Sequence, residues 1–239
     1  MSAREWETWR EARWKTVAAP YGTAALDLTE WLDDGPRTID GLPGAWRAED
    51  GVVIGDLPEG ELRLAPGEEH DIGGRRLRAF LRDGAFALRI LDPASPRRAT
   101  LTGIQAYPYD PAWVVEGEFR AAPEGEQVDV AAVDGVVSRA RLAGTIALPT
   151  PEGEVELTVT AAGDRLSAVF ADATNGTETY RFRFLEVGAR DGDRITVDFN
   201  RAHLPPCAFS DQYVCPLPLP GNRWAIPVRA GERNPIRAG

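Results

Sequence analysis

"EVELTVTAAGDRLSAVF", residues 154–170, is the stretch that decides the fold class of this chain. From Val155 to Val159 every second residue is apolar, and the same alternation returns after the turn dipeptide Gly163-Asp164. Side chains of a β-strand point alternately to opposite faces of the sheet, so this pattern gives each strand one apolar face. Two short alternating runs around a tight turn predict a β-hairpin.

Similar hairpin signals precede this stretch. The Asp-Gly dipeptides at 83–84 and 134–135 divide residues 76–91 and 128–148 into paired alternating runs. Asp-Gly tolerates the positive φ angles of tight hairpin turns. Because no crossover helices separate the strands, we expect antiparallel pairing. The sequence predicts a mainly β fold, in which an antiparallel meander forms a barrel or a sandwich.

One helix is predicted, at the N-terminus. Ser2 followed three residues later by Glu5 is a capping-box pattern. Trp6 and Trp9 fit one face of an amphipathic helix that ends before Pro20. We expect these tryptophans to pack on a sheet, since aromatic residues on a helix face usually serve packing.

A proline-rich seam over residues 92–125 suggests two domains. We expect an N-terminal helix plus a small β unit over residues 1–99. A larger antiparallel β unit, with a proline-rich C-terminal strap, would occupy residues 100–239. A single continuous fold is the alternative.

The charge and the cysteine content restrict partners and compartment. The net charge is −10, and Lys15 is the only lysine. An acidic chain without a basic stripe argues against partners such as nucleic acid or an anionic membrane. The charged N-terminus lacks the apolar core of a signal peptide, which predicts a cytoplasmic protein whose two cysteines stay reduced. A small-molecule ligand is compatible with this composition, and the oligomeric state is left open.

Common catalytic motifs are absent from the sequence. It contains no G-x-S-x-G elbow, no phosphate-binding P-loop, no dinucleotide-binding glycine pattern and no H-E-x-x-H. No cofactor is therefore expected, and candidate sites must be sought among isolated polar residues.

The first candidate is the segment 170–187. Asp172 begins a polar loop that reads either as a hydrogen-bonded hairpin turn or as the rim of a ligand pocket. Arg181 and Arg183 alternate with aromatic residues such as Tyr180, which predicts that both arginines share the opposite face. If that face lines a cavity, the two guanidinium groups would bind an anion.

The second candidate combines the end of a strand with the loop near the C-terminus. Asp198 would need a cation if buried, and would serve either as a structural partner or as a general base. Asn200 and Arg201 follow it, and we expect Asn222 and Arg223 to face them across a proline-stiffened loop.

The third candidate is the spacing His203-x3-Cys207-x7-Cys215. These three side chains, with Asp211 as a fourth ligand, could bind zinc, but zinc modules usually place their cysteines two to four residues apart. No metal is therefore predicted. The sequence leaves open whether the two cysteines are packing residues, a disulfide or reactive thiols.

Several motifs together resemble one bacterial family. The segments "DATNGTETY" (172–180), "VDFNRA" (197–202), "PPCAFS" (205–210) and "CPLPLPGNR" (215–223) are similar to the C-terminal signature of domain-of-unknown-function family sixteen-eighty-four. "LTEWLDDGPRTID" (28–40) resembles its N-terminal half. The resemblance implies a family and no activity.

The family pattern singles out ten polar positions in this chain. They are Asp172, Thr179, Tyr180, Asp198, Asn200, Arg201, Cys207, Cys215, Asn222 and Arg223. Where the family usually has an aromatic residue and an asparagine before the prolines, this chain has His203 and Leu204, which argues against a metal role for His203.

Two hypotheses follow from these residues. In the first, a small-molecule pocket lies at one end of a β-barrel built by residues 172–180, 198–207 and 215–224, and supports acid/base or hydrolytic chemistry. In the second, a non-catalytic β module binds a metabolite or protein partner, and the strap is purely structural. The predicted catalytic residues are Asp198, Tyr180 and Cys207. The predicted ligand-binding residues are Asn200, Arg201, Arg223, Asn222, Asp172, Arg181, Arg183 and Cys215.

Overall fold

A computed structural model describes residues 2–163, 165–188 and 190–238. Helix α1 spans Ala3–Ala18. It begins with the predicted capping box, in which the Ser2 backbone N–H donates to Glu5 Oε2 at 2.7 Å and the Glu5 N–H donates to Ser2 Oγ at 3.3 Å. Trp6 is buried, as predicted for a packing residue. Within the described residues, no helix is long and apolar enough to cross a membrane.

The chain forms two compact units. The large unit contains the residues up to Trp14 together with Thr102–Ala208 and Val214–Ala238. The small unit contains Lys15–Leu101 and Phe209–Tyr213. The division into two domains near residue 100 stays a prediction.

The small unit is built from seven strands and one short helix. The strands are β1 (Leu26–Leu32), β2 (Ala45–Glu49), β3 (Val52–Leu57), β4 (Gly60–Leu64), β5 (Glu69–Ile72), β6 (Arg75–Arg82) and β7 (Ala85–Leu91), and the helix is α2 (Pro96–Ala99). They form antiparallel sheets in the orders β1-β7-β6-β5 and β2-β3-β4. Asp83 and Gly84 both have positive φ at the predicted β6–β7 turn.

The large unit holds the remaining strands. They are β8 (Leu101–Ala106), β9 (Val114–Ala121), β10 (Gln127–Ala131), β11 (Val137–Thr150), β12 (Gly153–Ala162), β13 (Arg165–Phe170), β14 (Arg183–Val187), β15 (Arg190–Asp191), β16 (Arg194–Asp198) and β17 (Glu232–Arg237). The main sheet has the order β14-β13-β12-β11-β9-β16-β15, β10 pairs with β11, and β17 pairs with β8.

The fold class predicted from the sequence is confirmed: the chain is mainly β, its antiparallel sheets include a half-barrel, and α1 precedes them. The alternating residues of the 154–170 stretch supply the core of the large unit, where Leu157, Val159 and Phe170 are fully buried. The predicted turn between β12 and β13 includes Asp164, which lies outside the described residues.

Strand β11 bends at Gly144, where its register against β12 shifts. Gly144 has a φ of +151°, and a Cβ at this position would lie 2.1 Å from the carbonyl oxygen of Arg120 on β9. Any other residue would separate these two strands, because neither the backbone angle nor the space permits a side chain.

Candidate functional site

The ion pair between Asp172 and Arg183 is buried and bonds to the C-terminal segment. Arg183 Nη2 lies 2.6 Å from Asp172 Oδ2, and both side chains have no solvent exposure. Arg183 also donates to the carbonyl oxygens of Val228 and Ala230, while Asp172 Oδ1 accepts the Val228 N–H at 3.1 Å. The pair therefore holds the C-terminal segment against β14. A ligand could reach neither side chain without opening this part of the core.

The position of Arg183 corrects the predicted alternation of residues 180–184. Strand β14 begins only at Arg183, and Arg183 and Leu185 point into the core together. Arg181 precedes the strand and is exposed. The two arginines therefore do not share a face, because the chain enters the strand irregularly and Asp172 compensates the buried guanidinium.

The loop that follows Asp172 stabilises itself. Thr174 donates its backbone N–H and its hydroxyl to Asp172 Oδ1 at 2.9 and 2.6 Å. Asn175 donates to the Thr179 hydroxyl at 2.9 Å and to the Tyr180 carbonyl oxygen at 2.6 Å. These contacts agree with the hairpin-turn interpretation, since short polar side chains bonding to nearby backbone are typical of turns.

Asp198 and Asn200 bind each other and a neighbouring loop. Asp198 Oδ1 accepts from the Asn200 N–H and from Asn200 Nδ2, both at 3.0 Å. The Asn200 amide also exchanges hydrogen bonds with the backbone of Asp110 at 2.9 and 3.0 Å. Asp198 Oδ2 is buried and has no hydrogen-bond partner among the described residues. Asn200 is therefore committed to holding two loops together.

Asn222 lies in a different contact set from Asp198. It accepts the Thr158 N–H and donates to the carbonyl oxygens of Thr158 and Val169, with distances of 2.8–3.0 Å. Arg223 next to it is exposed. Within the described residues no hydrogen bond or ion pair joins Asn222 or Arg223 to the segment 198–201. The facing arrangement predicted for these residues is thus not a bonded cluster.

Arg201 and His203 line a small cleft of about 260 Å³ together with Trp9, Arg13 and Glu186. The His203 ring packs edge-on against Phe184. Burial, and next the charge of Arg13, lower the pKa of His203 to about 4, so the ring is uncharged at neutral pH.

Cys207 and Cys215 are brought into contact. The Cys207 backbone N–H donates to Cys215 Sγ at 3.2 Å, although seven residues separate the two cysteines. Cys215 is buried and Cys207 is partly exposed, and both are free thiols. Cys207 sits in the turn Pro206–Ala208, so proline fixes the chain on its N-terminal side.

The end of strand β10 holds Cys215 in place. The Cys215 carbonyl oxygen accepts the Val133 N–H at 2.9 Å, and the Leu217 N–H donates to the Ala131 carbonyl oxygen at 2.7 Å. The Cys215 thiol is therefore positioned by backbone pairing as well as by the proline that follows it.

Tyr180 and Arg181 complete this cluster. The Tyr180 hydroxyl lies 3.1 Å from the Cys207 carbonyl oxygen and 3.8 Å from Cys207 Sγ, and Arg181 Nη2 donates to that hydroxyl at 3.3 Å. The hydrogen bond with the Cys215 thiol is the main cause that lowers the pKa of Cys207 to about 7. The Tyr180 hydroxyl and the charge of Arg181 add to this effect, whereas burial opposes it. Burial raises the pKa of Tyr180, which keeps it a proton donor at neutral pH.

Sequence reasoning missed a second buried carboxylate. Glu232 is 2% exposed, receives a contact from Arg13 Nε at 3.3 Å and accepts the Leu204 N–H at 2.7 Å. Burial raises the pKa of Glu232. Arg13 on α1 was the available signal, because a cation on the inner face of an amphipathic helix requires a partner.

Two further concave surfaces lie in the large unit. A groove of about 980 Å³ is bordered by the ends of β9, β12, β13 and β14 and by residues 141–143 within β11. A second groove, of about 520 Å³, is lined by Glu116, Glu118, Glu154 and Glu156 among others. Neither is lined by residues 172–180, 198–207 or 215–224. Among the described residues, no group of three His, Cys, Asp or Glu side chains could hold a metal ion.

Comparisons with known proteins give one family and a similar solved structure. No protein of curated function matches the sequence. A solution NMR structure of an uncharacterized protein of Haloarcula marismortui is similar, with 31% identity over 55% of this chain and 76% of that one, at a TM-score of 0.46. The model of the family described as "Protein of unknown function (DUF1684)" matches residues 99–233. The chain therefore belongs to the DUF1684 family, as the signature at its C-terminal end indicates.

Proposed function

We propose that the protein performs thiol–disulfide exchange, with Cys207 as the attacking thiolate and Cys215 as the resolving thiol. The contact between the Cys207 N–H and Cys215 Sγ at 3.2 Å carries this proposal. A partly exposed thiol beside a buried one is the arrangement that such exchange requires, since the first must meet the substrate and the second must reach only the first.

The exchange runs in two displacement steps that balance. Cys207 thiolate attacks one sulfur of a small disulfide R–S–S–R, forming a Cys207–S–S–R bond and releasing one thiolate R–S⁻. The Cys215 thiol loses its proton and attacks Cys207 Sγ, which releases the second thiolate, and that thiolate takes up the proton. The two cysteines are oxidised to one disulfide, and the substrate disulfide is reduced to two thiols.

Tyr180 supports the attacking sulfur directly. Its hydroxyl is 3.8 Å from Cys207 Sγ and shares its proton with the Cys207 carbonyl oxygen. A hydroxyl that can turn toward a thiolate stabilises the charged form and lowers its pKa. Since burial keeps Tyr180 protonated, it remains a donor throughout the exchange.

The setting that suits this chemistry is the cytoplasm of a bacterium, where both thiols would be reduced between turnovers. The small disulfide is both partner and co-reactant, and no further cofactor is required for the exchange. The net charge of −10 argues against nucleic acid or an anionic membrane as partner.

The proposal is tested by trapping the intermediate. Reduced protein is mixed at pH 7 with 2-hydroxyethyl disulfide, and the products are identified by intact mass and peptide mapping. We expect wild-type protein to form the Cys207–Cys215 disulfide, Cys215→Ser to accumulate the mixed disulfide on Cys207, and Cys207→Ser to react far more slowly.

Two results would contradict it. One is consumption of the disulfide by Cys207→Ser at the wild-type rate. The other is a wild-type mixed disulfide that never passes to Cys215, which would favour the alternative of a structural strap in a binding module. The reaction is then repeated with dithiothreitol as reductant. An enzyme reduces many equivalents of disulfide per protein, whereas a single-use thiol pair reduces one.

A further inference from the structure

Arg181 differs from its neighbour Arg183 in having no acidic partner among the described residues. In the described part of the chain its guanidinium forms no ion pair, and its hydrogen bond goes to the Tyr180 hydroxyl at 3.3 Å. The neighbouring Arg183 and the exposed Arg229 both contact carboxylates, Asp172 and Glu178. An unpaired guanidinium is therefore available for an external anion.

Arg181 is held above a partly apolar surface at the thiol site. Its Cζ lies 5.4 Å from the centre of the Tyr180 ring and 5.9 Å from that of Phe182. Tyr180 in turn contacts Cys207, so the guanidinium and the attacking sulfur flank one aromatic ring. The charge of Arg181 also acts on Cys207, in the direction that favours the thiolate.

The overall charge of the protein makes this local cation significant. With a net charge of −10, the long-range field of the protein disfavours the approach of anions. A guanidinium beside the attacking sulfur reverses the potential at that point, and its planar fork fits a carboxylate group.

We infer that the thiol site selects disulfides that carry a carboxylate close to the sulfur, and that Arg181 binds this carboxylate. This inference rests on the proposed thiol–disulfide exchange and names its substrate class. Arg181 would bind the carboxylate while Cys207 attacks the adjacent disulfide sulfur.

The test uses three disulfides that differ in charge and share a two-carbon spacer: 3,3′-dithiodipropionate, 2-hydroxyethyl disulfide and cystamine. Each rate with Cys207 is divided by the rate of the same disulfide with a free small thiol, which removes differences in leaving group. At low salt we expect wild-type protein to prefer the dipropionate over cystamine about tenfold, the lower end of electrostatic steering effects. The preference should shrink at high salt.

Variants separate recognition from a general loss of reactivity. Arg181→Ala raises the pKa of Cys207 and slows all three disulfides, but only loss of carboxylate binding changes their ratio. We expect the preference to vanish in Arg181→Ala. It should persist in Arg120→Ala, which removes an equal charge from an exposed position on β9 beside Glu118. Arg181→Lys should keep part of the preference, because lysine keeps the positive charge but lacks the planar, two-pronged guanidinium.

The two proposals fail in different ways. If the mixed disulfide on Cys207 is resolved to the Cys207–Cys215 disulfide, but Arg181→Ala and Arg120→Ala show the same ratios, the inference about Arg181 is wrong and the thiol exchange stands. If none of the three disulfides reacts at Cys207, both are wrong.

Discussion

Arg181 and Arg183 are two residues apart in sequence and serve opposite purposes. Arg183 is fully buried, its Nη2 lies 2.6 Å from Asp172 Oδ2, and its two Nη groups also donate to the carbonyl oxygens of Ala230 and Val228. Arg181 is exposed, and its guanidinium donates to the Tyr180 hydroxyl, which lies 3.8 Å from Cys207 Sγ. The comparison teaches that a charged residue belongs to the fold when its partners lie within the chain. It is a candidate for binding when they do not.

The largest expected difference between the two arginines is in stability. Arg183→Met leaves the Asp172 carboxylate buried without a cation, which should lower the free energy of unfolding by about 3–5 kcal/mol. Arg181→Met removes an exposed side chain and should cost less than about 0.5 kcal/mol. Urea denaturation of both variants measures the difference.

A double variant sharpens this result. Asp172→Leu combined with Arg183→Met removes both charges and should recover part of the loss, because an apolar pair avoids the uncompensated carboxylate. Equal unfolding midpoints for Arg183→Met and Arg181→Met would show that the buried pair contributes nothing to stability.

The same contrast recurs at Asn222 and Arg223. Asn222→Ala leaves the Thr158 N–H and two carbonyl oxygens without partners in the core, which should cost about 2 kcal/mol. Arg223→Ala, one residue away and exposed, should change the free energy of unfolding by less than about 0.5 kcal/mol. If Arg223→Ala destabilised the protein more than Asn222→Ala, then Arg223 and not Asn222 would be the residue that stabilises the fold.

Much of this contrast lies beyond what the sequence could predict. The hairpins were predictable because Asp-Gly turns and two-residue alternation are local signals, and strands β6, β7, β10 and β11 follow them. The prediction that Arg183 shares a face with Arg181 was wrong, because a buried arginine is indistinguishable from a surface one in the sequence until its partner is known.

The thiol site was only partly predictable, for the same reason. Tyr180 and Cys207 were selected as candidates by residue type and family pattern, yet their contact depends on tertiary structure that brings residues 27 positions apart together. The seven-residue interval between Cys207 and Cys215 matches no common metal or redox module, so nothing in the spacing predicted that Cys215 Sγ would meet the Cys207 N–H.

His203 is intermediate between the buried residues and the exposed ones compared above. It is partly exposed in the cleft beside Arg201. Its pKa in the folded protein, about 4, lies below the value of 6.5 in an unfolded chain. The contribution of the uncharged His203 to the free energy of unfolding is therefore fully present above pH 6.5 and is lost as the pH falls toward 4. Because solvent reaches the ring, the loss should be about 1 kcal/mol.

Urea denaturation of wild type and His203→Gln between pH 7.5 and 4 measures this loss. The difference in unfolding free energy between the two proteins should shift by that amount in favour of the variant as the pH falls. A constant difference over this range would mean that His203 titrates alike in the folded and unfolded states.

The smallest effect concerns how Arg181 acts on the thiol. An exposed charge contributes about 0.2–1 kcal/mol, so Arg181→Ala should raise the pKa of Cys207 by no more than roughly 0.7 of a pH unit. Cys215→Ala should raise it further, because the hydrogen bond with the Cys215 thiol is the larger cause. The pH dependence of iodoacetamide alkylation gives both values, and the Arg181 effect should diminish at high salt. If Arg181→Ala shifts the pKa more than Cys215→Ala does, the guanidinium rather than the neighbouring thiol sets the acidity of Cys207. Arg181 would then act mainly by activating the sulfur, and the contrast with Arg183 would rest on electrostatics instead of on substrate binding.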